Sequence, residues 1–213
     1  MSRKSSALDK LPPSVIVGVT GHRNIRPDDP AITAIVRAQL ERIATRARGS
    51  RILLLSGLAE GADRLVVQAA VAALNAPYLA VLALPQEHFV KDFADQASRD
   101  SFERLLAGAA DVVEAPAMAP ERQIADYGEP RNHQYAWVGA YLARHAHVLI
   151  ALWDGAPARG TGGTAEVVSW FIKNKVPDRY AISFAPAAKR VPGVRRELVH
   201  INPASRSVEV RAV

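Results

Sequence analysis

Cysteine is missing from all 213 residues, so neither disulfides nor thiolate metal sites can enter the architecture. Aromatic residues make up only 6% of the chain and are scattered. That argues against a surface that stacks successive nucleic-acid bases, which needs clustered rings. No uninterrupted apolar run is long enough to span a bilayer, and no stretch has the order of a signal peptide. A cytoplasmic protein with no membrane partner is the plain expectation. Three familiar ligand motifs are missing as well: G-x-G-x-x-G after the first strand, G-x-x-x-x-G-K-S/T, and H-E-x-x-H. Ordinary NAD dehydrogenases, P-loop NTPases and zincins are thereby set aside, and no cofactor or metal is expected. The pair His145 and His147 has no third ligand nearby in the sequence and reads as structural.

What is present suits one compact α/β unit over residues 1–213, with a flexible polar lead over 1–13. Hydrophobic residues make up 49%, enough for a full core, and 27 basic against 21 acidic residues leave a net charge of +6. Such a surface attracts phosphates, nucleotides or nucleic acid.

Short apolar runs alternate with helical patterns. "SVIVGVT" reads as a buried strand, and "AITAIVRAQLERIATRARG" as a helix with Ile32, Ile35, Val36, Leu40 and Ile43 at helical spacing before Gly49. "RILLLSG" with a helix from about Glu60 to Leu74, and "YLAVLALP" with a helix over 87–108, make two more units. "DVVEAP" is a fourth strand, 117–130 a long loop, "RNHQYAWVGAYLARHA" a helix, "HVLIALWDG" a fifth strand and "TAEVVSWFIKNK" a helix. A sixth strand is expected at "RYAISFA", and "LVHINPASRSVEVRA" as a terminal β-hairpin. Apolar strands alternating with helices predict a Rossmann-like three-layer sandwich with a mainly parallel sheet, whose ligands sit beyond the strands' carboxyl ends.

Three loops fall at such strand ends. In the first, Thr20, Gly21, His22 and Arg23 offer a turn, an imidazole and a planar cation suited to phosphate. In the second, "SGLAEGAD", Ser56 and Gly57 can present a hydroxyl and an N–H, Gly61 a tight turn, and Asp63 an acceptor for a ribose or a helix cap. In the third, Trp153 and Asp154 precede Gly160, Thr161, Gly162, Gly163 and Thr164, whose N–H groups can wrap an anion at a helix start, with Glu166 in the first turn. The plain alternatives are an exposed arginine beside a packed histidine, a dipole-favoured acidic first turn, and a surface loop.

"VTGHRN", "SGLAEGAD" and "ARHAHVLIALWDG…GTGGTAE" together resemble the SLOG superfamily, which joins the Smf/DprA Rossmannoid domain with the LOG proteins, over roughly residues 14–172. "SGLAEGAD" is similar to the Ser-Gly-Leu-Ala-x-Gly-Ile-Asp segment of DprA-type proteins, and "GHR" stands where they have Gly-Ser-Arg. The resemblance implies a nucleotide-type ligand over the strand ends. LOG members hydrolyse the N-glycosidic bond of nucleoside 5′-monophosphates, with a Pro-Gly-Gly-x-Gly-Thr-x-x-Glu loop on phosphate and ribose. Here Trp153-Asp154-Gly155 replaces the proline-led start, and Glu166 follows Thr164 by two residues instead of three. On a helix that offset turns a side chain by about 100°. The position of the LOG catalytic arginine falls near Val138, and Arg131 comes several residues too early.

Superfamily members without a full catalytic set are thought to sense nucleotide-derived signals, often in bacterial defence systems. A sensor of that kind is therefore the leading expectation, with Trp153 stacking on a base. The enzymatic alternative is a phosphoribohydrolase with Glu166 and Glu60 as its carboxylates. The third is a DprA-like binder of single-stranded nucleic acid, using arginines 37, 42, 46, 48 and 51. The resemblance also implies a homo-oligomer. The helix carrying Trp137, Tyr141 and Leu142 would supply the interface if those side chains face outward, and the core if they face inward.

Overall fold

Seven strands form one sheet in the order β4-β3-β2-β1-β5-β6-β7, with helices packed on it. The computed structural model describes residues 13–26, 28–158, 160–181, 191 and 194–213. The expected lead over 1–13, apart from Pro13, and residues 182–185 of the expected sixth strand lie outside them. Strands β1 (Ser14–Gly21), β2 (Arg51–Ser56), β3 (Tyr78–Leu82), β4 (Asp111–Glu114), β5 (Val148–Leu152) and β6 (Glu197–Ile201) run parallel. β7 (Val208–Ala212) closes a C-terminal hairpin antiparallel to β6. Leu53, Leu54 and Leu55 on β2 are all essentially inaccessible, which fits a sheet covered on both faces. Each contributes about 2 kcal/mol of apolar burial.

Helix α1 (Pro30–Arg46) starts where the Asp29 carboxylate accepts from the N–H groups of Ala31 and Ile32, and proline at its first position needs no donor. Its Ile32, Val36, Leu40 and Ile43 face the sheet. Helix α2 (Ala62–Leu74) returns from β2, and α6 (Glu129–His145) and α7 (Thr164–Lys173) flank β5. At Gly139 the α6 backbone meets α7 so closely that a Cβ would collide with Val167, and this contact holds the start of α7 against α6.

Several expectations change. Residues 179–181, assigned above to a strand, belong instead to a short helix, α8 (Asp178–Ala181), where Tyr180 buries its ring near Trp170 and its hydroxyl lies 2.7 Å from His133 Nδ1. The sixth strand of the sheet is instead the first arm of the hairpin. The single helix over 87–108 is broken into α3 (Gln86–Phe89), a 3-10 turn at Val90–Asp92 and α4 (Gln96–Ala107). Phe93 is extended there, and Asp95 caps α4 by accepting from the Ser98 N–H at 2.8 Å. Burying Phe89, Phe93 and Phe102 together requires that break. The loop over 117–130 contains one short helix, α5 (Glu121–Ala125). Trp137, Tyr141 and Leu142 are each 3% exposed, so they belong to the core and offer no interface. Among the described residues no helix is long and apolar enough to cross a membrane.

Candidate functional site

Strand order reverses between β1 and β5: β1 hydrogen-bonds β2 on one side and β5 on the other. Chains leaving such neighbours diverge and open a crevice at their carboxyl ends. A cavity of about 600 Å³ lies there, lined by all three glycine-bearing loops. From β1 come Thr20, Gly21, His22 and Arg23; from β2, Gly57 and Asp63; from β5, Trp153, Asp154 and the stretch from Gly160 to Thr164.

Two glycines shape these loops. Gly61 precedes α2 with φ +76° and ψ −120°, a conformation that excludes side chains, and packs beneath the carbonyl oxygens of His22 and Arg23. The Ala62 N–H donates to the His22 oxygen at 3.1 Å, which ties the first loop to the second. Gly162, with φ +80°, lies against α6, where a Cβ would stand 2.6 Å from Ala136 Cα. Glu166 completes the turn by accepting from the Gly162 N–H at 2.6 Å, an arrangement akin to a capping box. The first N–H groups of α7 have no acceptor within the helix, and Thr164 and Ala165 line the cavity.

Among the described residues, the charged side chains that line the cavity are Arg23, Asp63 and Asp154. Arg23 donates to the Asp92 carbonyl at 3.0 Å and lies 3.6 Å from Glu60 Oε2. His22 Nε2 lies 3.5 Å from Asp154 Oδ1, joining the β1 and β5 loops. Asp63 is 8% exposed, and burial pushes its carboxyl up to about 6, against the opposing pull of the Ala59 N–H, Ser56, Gly57 and the Arg23 charge. A folded carboxyl at about 6 keeps a proton that the unfolded chain gives up near pH 4. Its contribution to stability is therefore complete below about pH 4 and is lost as the pH rises through 6. We expect urea melts of Asp63→Asn and the native protein to diverge in the variant's favour by about 3 kcal/mol between pH 4 and 8, at about 1.4 kcal/mol per pH unit. A pH-independent difference would show that Asp63 does not titrate with folding.

The remaining expected residues stand behind the wall. Ser56 is fully buried, its hydroxyl accepting from the Leu58 N–H at 3.1 Å. Glu60 accepts from the Ala94 N–H at 3.1 Å and from the Ser98 hydroxyl. Neither Glu60 nor Glu166 lines the cavity; its carboxylates are Asp63 and Asp154. Trp153 lines it, with one ring face against His200 at a centroid distance of 4.3 Å and its indole N–H donating to Ala156 O.

Sequence reasoning missed the wall formed by α6. Asn132, Tyr135, Val138, Gly139 and Leu142 line the cavity, with Phe89, Val81 and Ala83 beside them. Their spacing of three and four residues marks one helix face and was legible as such. What it faced was not. Behind this wall the buried Arg131 pairs with Asp92 at 2.8 Å and donates to the carbonyl oxygens of Ile124 and His88, both at 2.9 Å. The Tyr135 hydroxyl donates to the other Asp92 oxygen, and burial, reinforced by that carboxylate, raises the phenol above its usual range.

His145 and His147 are both buried, and the His147 Nδ1 accepts from the Ile16 N–H at 2.9 Å. Of the arginines suggested for nucleic acid, Arg42 and Arg46 pair with Glu197 and Arg37 with Glu41. All three lie on α1; Arg46 at its end and Arg51 at the amino end of β2 stand at the end of the sheet opposite the cavity.

No protein-family model matches this chain, and no curated protein matches it either.

Proposed function

We propose that this chain is a binding module of the SLOG kind that takes a nucleotide or nucleotide-derived ligand in the crevice between β1 and β5. The observation that carries the reading is that the open start of α7, with its Gly160–Thr164 loop, and the Arg23 guanidinium line one cavity. Backbone N–H groups at a helix start together with a planar cation recognise phosphate. Asp63 accepts from a ribose hydroxyl, and the α6 side chains Val138 and Leu142 give the base an apolar wall. Glu166 and Glu60 favour binding over cleavage, since backbone and hydroxyl donors already hold both carboxylates and neither residue lines the cavity.

Calorimetry with nucleoside monophosphates, NAD and ADP-ribose tests this. Arg23→Ala is expected to weaken a phosphorylated ligand about 30-fold, the loss of one charge-assisted contact of about 2 kcal/mol, and to leave the matching nucleoside unchanged. Equal affinity in variant and native protein would remove Arg23 from the site.

One observation favours a second reading, an N-glycoside hydrolase. The buried carboxyl of Asp63, pushed up to about 6, is suited to donate a proton, and Asp154 supplies a second carboxylate on the same lining. Chromatography of the same incubations separates the two. Free base that disappears in Asp63→Asn but persists in Glu166→Gln makes the protein this enzyme; intact ligands throughout leave it a sensor.

A further inference from the structure

Six large hydrophobic side chains stand exposed among the described residues, and three of them, Val208, Val210 and Val213, are on or next to β7. This strand is exposed along its whole length, and among the described residues no strand pairs with its outer edge. The hairpin register decides which groups face outward. Asn202 N–H donates to Ser207 O, and Val213 N–H to Arg196 O. Antiparallel pairs alternate, so residues 207, 209, 211 and 213 bond to β6, and the N–H and C=O groups of Val208, Val210 and Ala212 point away from it.

We infer that β7 pairs antiparallel with β7 of a second copy, about a two-fold axis at Val210, joining two sheets into one. Three features make this edge complementary to itself. Val210 pairs with its own counterpart through two outward hydrogen bonds, and Val208 with Ala212 through two more on each side. Glu209 then falls opposite Arg211 of the other copy, twice, at the non-hydrogen-bonded positions where side chains approach most closely. Val208 and Val210 share the sheet face of their β6 partners Ile201 and Val199, so the two copies extend one apolar strip. Edge strands that avoid pairing commonly carry lysines, proline or a bulge. This strand carries opposite charges placed symmetrically about its centre and no proline.

Sedimentation velocity across protein concentrations, at low and high salt, tests the pairing. A dimer that weakens with salt is expected. Val210→Pro removes only an outward donor and leaves the β6 ladder intact, so it should give a monomer with unchanged circular dichroism and melting. Glu209→Arg and Arg211→Glu place like charges opposite each other and should each weaken the dimer at least tenfold. Mixed one to one they restore it, because both cross-copy pairs are then of opposite sign. A native protein that stays monomeric at all concentrations overturns the inference. So does a dimer indifferent to Val210→Pro and to both charge reversals.

Discussion

Replacing Arg131 by alanine is expected to lower the unfolding free energy by about 4 kcal/mol, because it strips the partner from a buried carboxylate. Arg131 and Asp92 expose only 3% and 5% of their side chains and meet at 2.8 Å. The guanidinium also joins three segments: α6, which carries it, the α5 carbonyls of Ile124 and Ala125, and His88 in α3. Removing it leaves Asp92 with Tyr135 and those carbonyl oxygens without their donor. For a chain of this size the midpoint temperature should fall by about 10 °C. Arg131→Lys should recover only part of the loss, since an ammonium cannot reach Asp92 and three carbonyls in one plane. Urea melts give the first number and scanning calorimetry the second. A variant of native stability that has lost its ligand would move Arg131 from the frame into the site.

Gly61→Ala should cost a further class of stability, roughly 3–5 kcal/mol, of which about 1–3 kcal/mol is backbone strain and the rest overpacking. At φ +76° and ψ −120° an alanine is strained, and its methyl collides with the His22 carbonyl and stands 2.5 Å from that of Arg23. Neither obstacle is the flexible end of a side chain, so relief requires the first loop to move. That displaces Arg23 from the wall it shares with Asp63. Affinity for the proposed nucleotide ligand should therefore fall even at temperatures where the variant remains folded. Gly160→Ala is the control, because a Cβ there meets nothing within 4 Å. Equal losses in both variants would mean that general loop stiffness, and not the His22–Gly61 contact, sets the geometry.

How much of this was legible along the chain varies with the range of the force involved. The alternation of apolar runs with helical spacing survives any packing detail, so all seven observed strands and the main helices were readable from the chain. The carboxyl-end placement of three glycine loops was readable for the same reason. The opening "RYA" of the expected strand misled because Tyr favours strands locally, whereas Tyr180 found its burial against Trp170 and His133. The helix over 87–108 misled because Phe102, nine residues after Phe93, would lie on the opposite face of one continuous helix, so Phe89, Phe93 and Phe102 pack together only where it is interrupted at Phe93.

Site chemistry divides along the same line. Residue type and order determined by themselves that glycines, an arginine and carboxylates would gather at strand ends, since strand direction carries them there. Only the tertiary structure decided which carboxylate faces the cavity. Glu60 and Glu166 had equal claim in the sequence, yet Ser98, Ala94 and Gly162 supply donors that turn them away, and Asp63 is left on the wall. The same holds for α6, whose Trp137, Tyr141 and Leu142 could have faced outward until the sheet buried them. Periodicity sets which residues share a face; what that face meets depends on partners tens of residues away, and those contacts exist only once the sheet has closed.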